Sequence, residues 1–148
     1  MKDDDDVGRV LSRLVEIHRD AERGFRTAAD AVLDPAIKRL LLTYARQRAE
    51  FGGELEAELQ RFGGTVPRSG SVGGALHRSW INLKAAVSGR DEAVVIAEAE
   101  RGDDAALAAY EEALATTSLP PDVRCVVERQ RVRVKEAHAR LHDLRRAA

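Results

Sequence analysis

"EAERGDDAALAAYEEAL", Glu98–Leu114, reads as one helix, because alanine, leucine and glutamate are strong helix formers and no proline interrupts them. Heptad spacing through it picks out Ile96, Glu100, Asp103, Leu107, Tyr110 and Leu114. Most of these are ordinary core residues, but Glu100 and Asp103 are carboxylates at positions that should be dry. Such a stripe has two readings. Either the acids hold a cation, or they belong to a hydrogen-bonded polar layer.

The rest of the chain reads as helix too. Aromatic residues are only 4% of its 148 residues, which disfavours a sheet, and the length suits one domain with a real core. The first helix is predicted from about Asp5 to Leu33, with an apolar stripe of Leu11, Leu14, Ala21, Phe25, Ala28 and Val32 that His18 interrupts. Asp34-Pro35 supplies an N-cap and a first-turn proline, so a second helix starts at once and folds back as an antiparallel hairpin. Its stripe is Ile37, Leu41, Tyr44, Phe51, Leu55 and Phe62, and Gly63-Gly64 ends it.

"GGTVPRSGSVGG" (63–74) reads as a linker: no strand precedes it, and it lacks the Lys-Ser/Thr ending of a phosphate loop. A shorter helix, "ALHRSWINLKAAV", places Leu76, Trp80, Leu83 and Val87 on one side. A third long helix is capped by Asp91 and runs to about Ala115. "TTSLPPD" then leads into a fourth with the stripe Val123, Val127, Gln130, Val134, Ala137, Leu141 and Leu144. The linker and short helix together are just long enough to carry the chain back along the bundle. The expected fold is therefore an all-α, ferritin-like antiparallel four-helix bundle with a helical crossover between the second and third long helices, in one domain spanning 1–148. A five-helix up-and-down bundle is the competitor.

Counting from the turns brings the polar irregularities to one level. With the crossover, Glu22 lies about 19 Å below the first turn, Glu100 about 15 Å and Asp103 about 20 Å. Glu22 faces Gln47, and Glu100 comes within a turn of His138. Carboxylates from several helices plus an imidazole suit iron, manganese or zinc. The candidate metal ligands are Glu22, Glu50, Glu100, Asp103 and His138. Against a dinuclear oxidase centre, the chain contains no Glu-x-x-His. In Glu136-Ala137-His138 and Glu16-Ile17-His18 the paired side chains diverge around the helix. The alternative is a register-setting polar layer in which Gln47, Arg48, Arg101 and Gln130 accompany the acids.

Other features carry less. His138 with His142, or His18 with Glu22, has the spacing of a helical cation clamp, but such pairs are commonly surface coincidence. His77 reads as a packing or capping residue. Trp80 reads as rim or as the face of a homodimer built on the crossover helix. The basic run Arg129, Arg131, Arg133, Lys135 and Arg140 is broken by Glu128 and Glu136, so a solvated face is expected. The net charge of −1 gives no reason to expect nucleic acid or an anionic membrane. No run approaches the roughly 18 apolar residues of a membrane span. The start, "MKDDDDVGRV", lacks signal-peptide order, so a cytoplasmic location is the expectation. Cys125 has no cysteine to pair with in this chain.

The stretches "VLSRLVEIHRDAERGFRTAADAVLDPAIKRLL", "GSVGGALHRSWINLKAAVSGRDEAVVIAEAERGDDAALAAYEEAL" and "VKEAH" resemble a bacterial family of uncharacterised ferritin-like four-helix-bundle proteins, a domain of unknown function. "GALHRSWINLK" and "ERGDDAALAAYEEAL" are the most specific parts of the likeness. The resemblance implies the ferritin-like fold and the crossover. It implies no activity and supplies no ligands, since wider relatives bind two metals through the Glu-x-x-His pattern missing here. Two functions are expected from this reading. The first is a bundle binding a divalent metal weakly in its polar layer. The alternative is a non-catalytic structural or interaction bundle, stress-related by analogy. Hydrolysis of a small molecule has no feature in its favour.

Overall fold

The structure is a computed structural model that describes residues 2–62, 64, 80, 82–89, 91–116 and 118–147, with side chains from Asp5 onward except that of Lys84. The described residues form five α-helices and no strand: α1 (Lys2–Ala31), α2 (Pro35–Arg61), α3 (Leu83–Gly89), α4 (Glu92–Ala115) and α5 (Pro121–Ala147). The expected caps are in place. The Asp34 carboxylate accepts from the Ala36 and Ile37 amides at 2.8 and 3.3 Å, and Asp91 accepts from Ala93 at 3.0 Å. At the end of α2 the Gly64 amide donates to the Leu59 carbonyl at 3.1 Å. Arg124 closes the end of α4 by donating to the Leu114 and Thr116 carbonyls at 3.0 and 2.8 Å. Gly63, most of the expected linker, Leu76 and His77 lie outside the described residues.

Contacts between helices fix their directions. His18 on α1 meets Phe51 on α2, and Phe25 further along α1 meets Tyr44 earlier on α2, so these two are antiparallel. At the α1–α2 turn the Leu33 amide meets Glu92, and at the opposite end Arg61 meets Asp122. Hence α4 runs parallel to α2, and α5 runs back antiparallel to both. Neighbours around the bundle follow the order α1, α2, α5, α4, with α2 and α5 the loosest adjacent pair. The short α3 packs on α1 and α4.

The α1 stripe is buried throughout, and so is the α5 stripe except at partly buried Leu144. On α4 the seam differs from the heptad count. Leu107 and Leu114 are only partly buried, while Ala99, Ala106, Ala109 and Ala113 are enclosed. Another small residue of α4, Gly102, is crowded by Trp80. The indole, expected at a rim or a dimer face, lies between Gly24 and Gly102 and stands edge-on to Phe25 at 5.3 Å. A Cβ at Gly24 would fall 2.2 Å from the indole, and one at Gly102 would fall 2.7 Å away. Two mid-helix glycines, each costing about 1 kcal/mol of helix propensity, are thus explained by one wedge.

Burial divides the apolar core in two. One half joins Val7–Ile17 of α1 with Phe51–Leu59, Ala106–Ala113 and Leu119–Val134. The other joins Ala21–Val32 with Leu41–Ala45, Val95–Ala99, Ala137, Leu141 and α3. Between them, at mid-height, lie the enclosed polar side chains His18, Arg48, Asp103 and Gln130.

Replacing Gly102 with alanine should therefore destabilise the protein by about 1–3 kcal/mol through overpacking. In a Trp80→Ala background the same change should become neutral or stabilising. Gly53, where a Cβ meets nothing within 4 Å, should gain about 0.5–1 kcal/mol on change to alanine. Urea midpoints check all three, and an unchanged cost of Gly102→Ala without Trp80 would refute the wedge.

Candidate functional site: a polar layer at mid-bundle

Arg48 falls in the gap of the α2 stripe between Tyr44 and Phe51, so the helix turns its side chain straight into the core. Its guanidinium grips Asp103 of α4 through two parallel bonds, Nη1 to Oδ1 and Nη2 to Oδ2, and neither residue has any exposure. Nε donates to the Gln47 amide oxygen at 3.1 Å. The guanidinium carbon lies 5.1 Å from the centre of the Phe25 ring, a cation–π contact. Removing two such charges from water costs several kcal/mol per ion. Bidentate geometry and the extra acceptor offset that cost only while both partners stay in place.

A second chain of bonds crosses the layer. Tyr110 of α4 donates its one hydroxyl proton to Gln130 Oε1 of α5 at 2.7 Å. Its oxygen is also bonded to His18 Nε2 of α1, so the imidazole must be the donor there and carries its proton on Nε2. His18 Nδ1 is buried without a hydrogen-bond partner among the described residues. Gln130 passes the chain to α2, donating to the Phe51 carbonyl at 3.3 Å and to Glu54 at 3.2 Å. Burial, with the Arg48 charge second, pushes His18 well below the ordinary histidine range. Burial likewise raises the Tyr110 phenol far above its usual range, so both groups are neutral at physiological pH.

The five candidate ligands have separate partners. Asp103 faces α2 and belongs to Arg48. Glu100 faces α5, accepting from Arg145 Nε at 2.6 Å through one oxygen and lying 2.8 Å from His142 Nδ1 through the other. His138, one turn away, lies 2.6 Å from Asp104. Glu22 is partly exposed and bonds Arg26 on its own helix at 3.3 Å. Glu50 is exposed on the groove between α2 and α5. Glu100 and His138 thus stand on the α4–α5 seam, while the other three lie elsewhere. Of the companions read beside the acids, Gln47, Arg48 and Gln130 are in the layer, whereas Arg101 is exposed and bonded to Glu98 at 2.9 Å. Tyr110, read as plain core, is the residue missed. Its hydroxyl lies where two polar stripe residues, His18 and Gln130, come to one level, and that coincidence was the available signal.

The family described as Domain of unknown function (DUF2383) matches residues 6–116, and the chain belongs to it. The match takes in His18, Arg48, Asp103 and Tyr110, and leaves Gln130 and the rest of α5 beyond it. A search of curated proteins found no match.

His18 makes the layer sensitive to acid. The unfolded chain takes up a proton on this residue near pH 6.5, the ordinary value, whereas the fold keeps it neutral. Its contribution is therefore complete above that pH and is lost as pH falls below it. Between about pH 7.5 and 5.5 the native chain should lose up to about 1.4 kcal/mol more stability than His18→Gln. Equal pH dependence of the two unfolding midpoints would contradict this assignment.

Proposed function

We propose that this member of the family is a cytoplasmic, non-catalytic interaction bundle of ferritin-like arrangement, in which the mid-height layer sets helix register instead of carrying chemistry. One observation carries the reading. Asp103, the one fully buried carboxylate among the described residues, has both oxygens engaged by a guanidinium of the same chain. Arg48 supplies, from within the chain, the positive charge that a buried carboxylate needs. The parallel run of α2 and α4, and the packing of α3 against α1 and α4, support the crossover arrangement. Such a layer suits register because a slipped helix leaves buried polar groups unpaired, at about 1–3 kcal/mol each and more for charges. Sliding apolar side chains past one another costs less.

The donor set argues in the same direction. Glu100 is committed to Arg145 and His142, so a metal there would have to displace a guanidinium at 2.6 Å. Among the described residues no helix is long and apolar enough to cross a membrane. Self-association through the short helix, expected from the sequence, would have to use what the Gly24–Gly102 slot leaves of the Trp80 ring uncovered.

Elemental analysis of protein purified without chelator tests the proposal. Iron, manganese and zinc should each fall well below one equivalent, and Glu100→Ala should leave that content unchanged. As its pairs are partly exposed, the same change should cost only about 1 kcal/mol of stability. One equivalent of metal that is lost with Glu100→Ala would overturn the proposal in favour of a metal-binding bundle.

A further inference from the structure

The loose seam between α2 and α5 opens into a groove of about 450 Å³, lined by Arg46, Gln47, Glu50 and Phe51 on one side and Arg129 and Arg133 on the other. That volume lies within the usual range for small-molecule sites. Its lining carries three guanidinium groups against one carboxylate. The charges differ in how firmly they are engaged. Arg129 is bonded to Glu54 at 2.6 Å. Among the described residues Arg133 meets only Glu136 of its own helix, at 3.2 Å, as an exposed pair, which is a weak arrangement. Arg46 has no carboxylate partner among the described residues.

Gln47 gives the groove a fixed donor. An arginine Nε can only donate, so the bond from Arg48 requires the Gln47 oxygen to face inward. The Gln47 NH2 group has no protein acceptor among the described residues, and it is turned away from that bond on the groove lining. Phe51 adds an apolar floor, mostly buried and edge-on to His18.

We propose that this groove is an oxyanion site for a small phosphate- or carboxylate-bearing ligand, gripped by Arg46 and Arg133, supported by Arg129, and oriented by the Gln47 amide. Planar guanidinium groups match the paired oxygens of either anion, and charge-assisted bonds of this kind are the strong ones. The site goes beyond the register role, because its anchors are exposed residues outside the buried layer. Gln47 and Phe51 are the groove residues that also touch the layer, and Glu54 bonds both Gln130 and Arg129.

The test is titration of the isotope-labelled full chain with sodium phosphate, and separately with sodium succinate, at ionic strength held constant with sodium chloride. Saturable amide shifts should centre on Gln47 and its neighbours on α2 and α5, and the anion that saturates at lower concentration identifies the source. Arg46→Ala and Arg133→Ala should each weaken binding about tenfold. Gln47→Glu, which keeps an acceptor for Arg48 but removes the outward donor, should abolish it. Arg9→Ala, at a distant exposed pair, should leave it unchanged. Linear drift with both anions, or equal weakening by Arg9→Ala, would overturn the site. Metal analysis is blind to these outcomes, so failure here is distinguishable from failure of the scaffold reading.

Discussion

A fully buried guanidinium–carboxylate pair ties α2 to α4 across the diagonal of the bundle, and the other polar contacts at mid-height are arranged around it. Arg48 and Asp103 come from helices that are not neighbours around the ring, so their bond spans the core instead of following a seam. His18 and Tyr110 then join α1 to α4, Tyr110 and Gln130 join α4 to α5, and Gln130 returns to α2 at Phe51. Every long helix is held at one height. A slip of one turn, about 5.4 Å, would strand two charges and several hydrogen-bonding groups in an apolar interior. No rearrangement of the alanine- and leucine-rich halves above and below offers a comparable penalty.

Small residues serve the same geometry by a different route. The enclosed alanines of α4 and the glycines facing Trp80 let neighbouring elements approach closely, so the layer is reached by short side chains and by a guanidinium on a long stem. Outside the layer, exposed ion pairs such as Arg131–Glu111 and Arg61–Asp122 decorate the seams. Pairs of that kind contribute little to stability. The groove lies on the α2–α5 seam, where adjacent helices are in loosest contact.

Much of this was legible in the sequence. Asp34-Pro35 and Asp91 announced two helix starts, and the α1 and α5 stripes named their buried faces, His18 and Gln130 included. Glu100 and Asp103 drew attention as acids in a stripe, and both are buried. Partnership was harder to read, because it depends on the rotation of each helix as well as on height. Height alone set Glu100 beside His138, yet a shift of one turn gives Glu100 to His142 and His138 to Asp104. Rotation also decides that Asp103 looks towards Arg48 while Glu22 stays at the surface with Arg26. The α4 seam was misjudged where heptad counting favoured large leucines over alanines, because the count does not show how each helix is rotated in the fold, and the place of Gly102 against Trp80 is likewise visible only there.

A double-mutant cycle on Arg48 and Asp103, read by urea unfolding, addresses the diagonal bond itself. Arg48→Met and Asp103→Leu should each cost about 3–5 kcal/mol by leaving one buried charge unpaired, and the double variant should cost far less than their sum. If the two losses simply add, to within about 0.5 kcal/mol, the residues are not coupled and the layer does not depend on them.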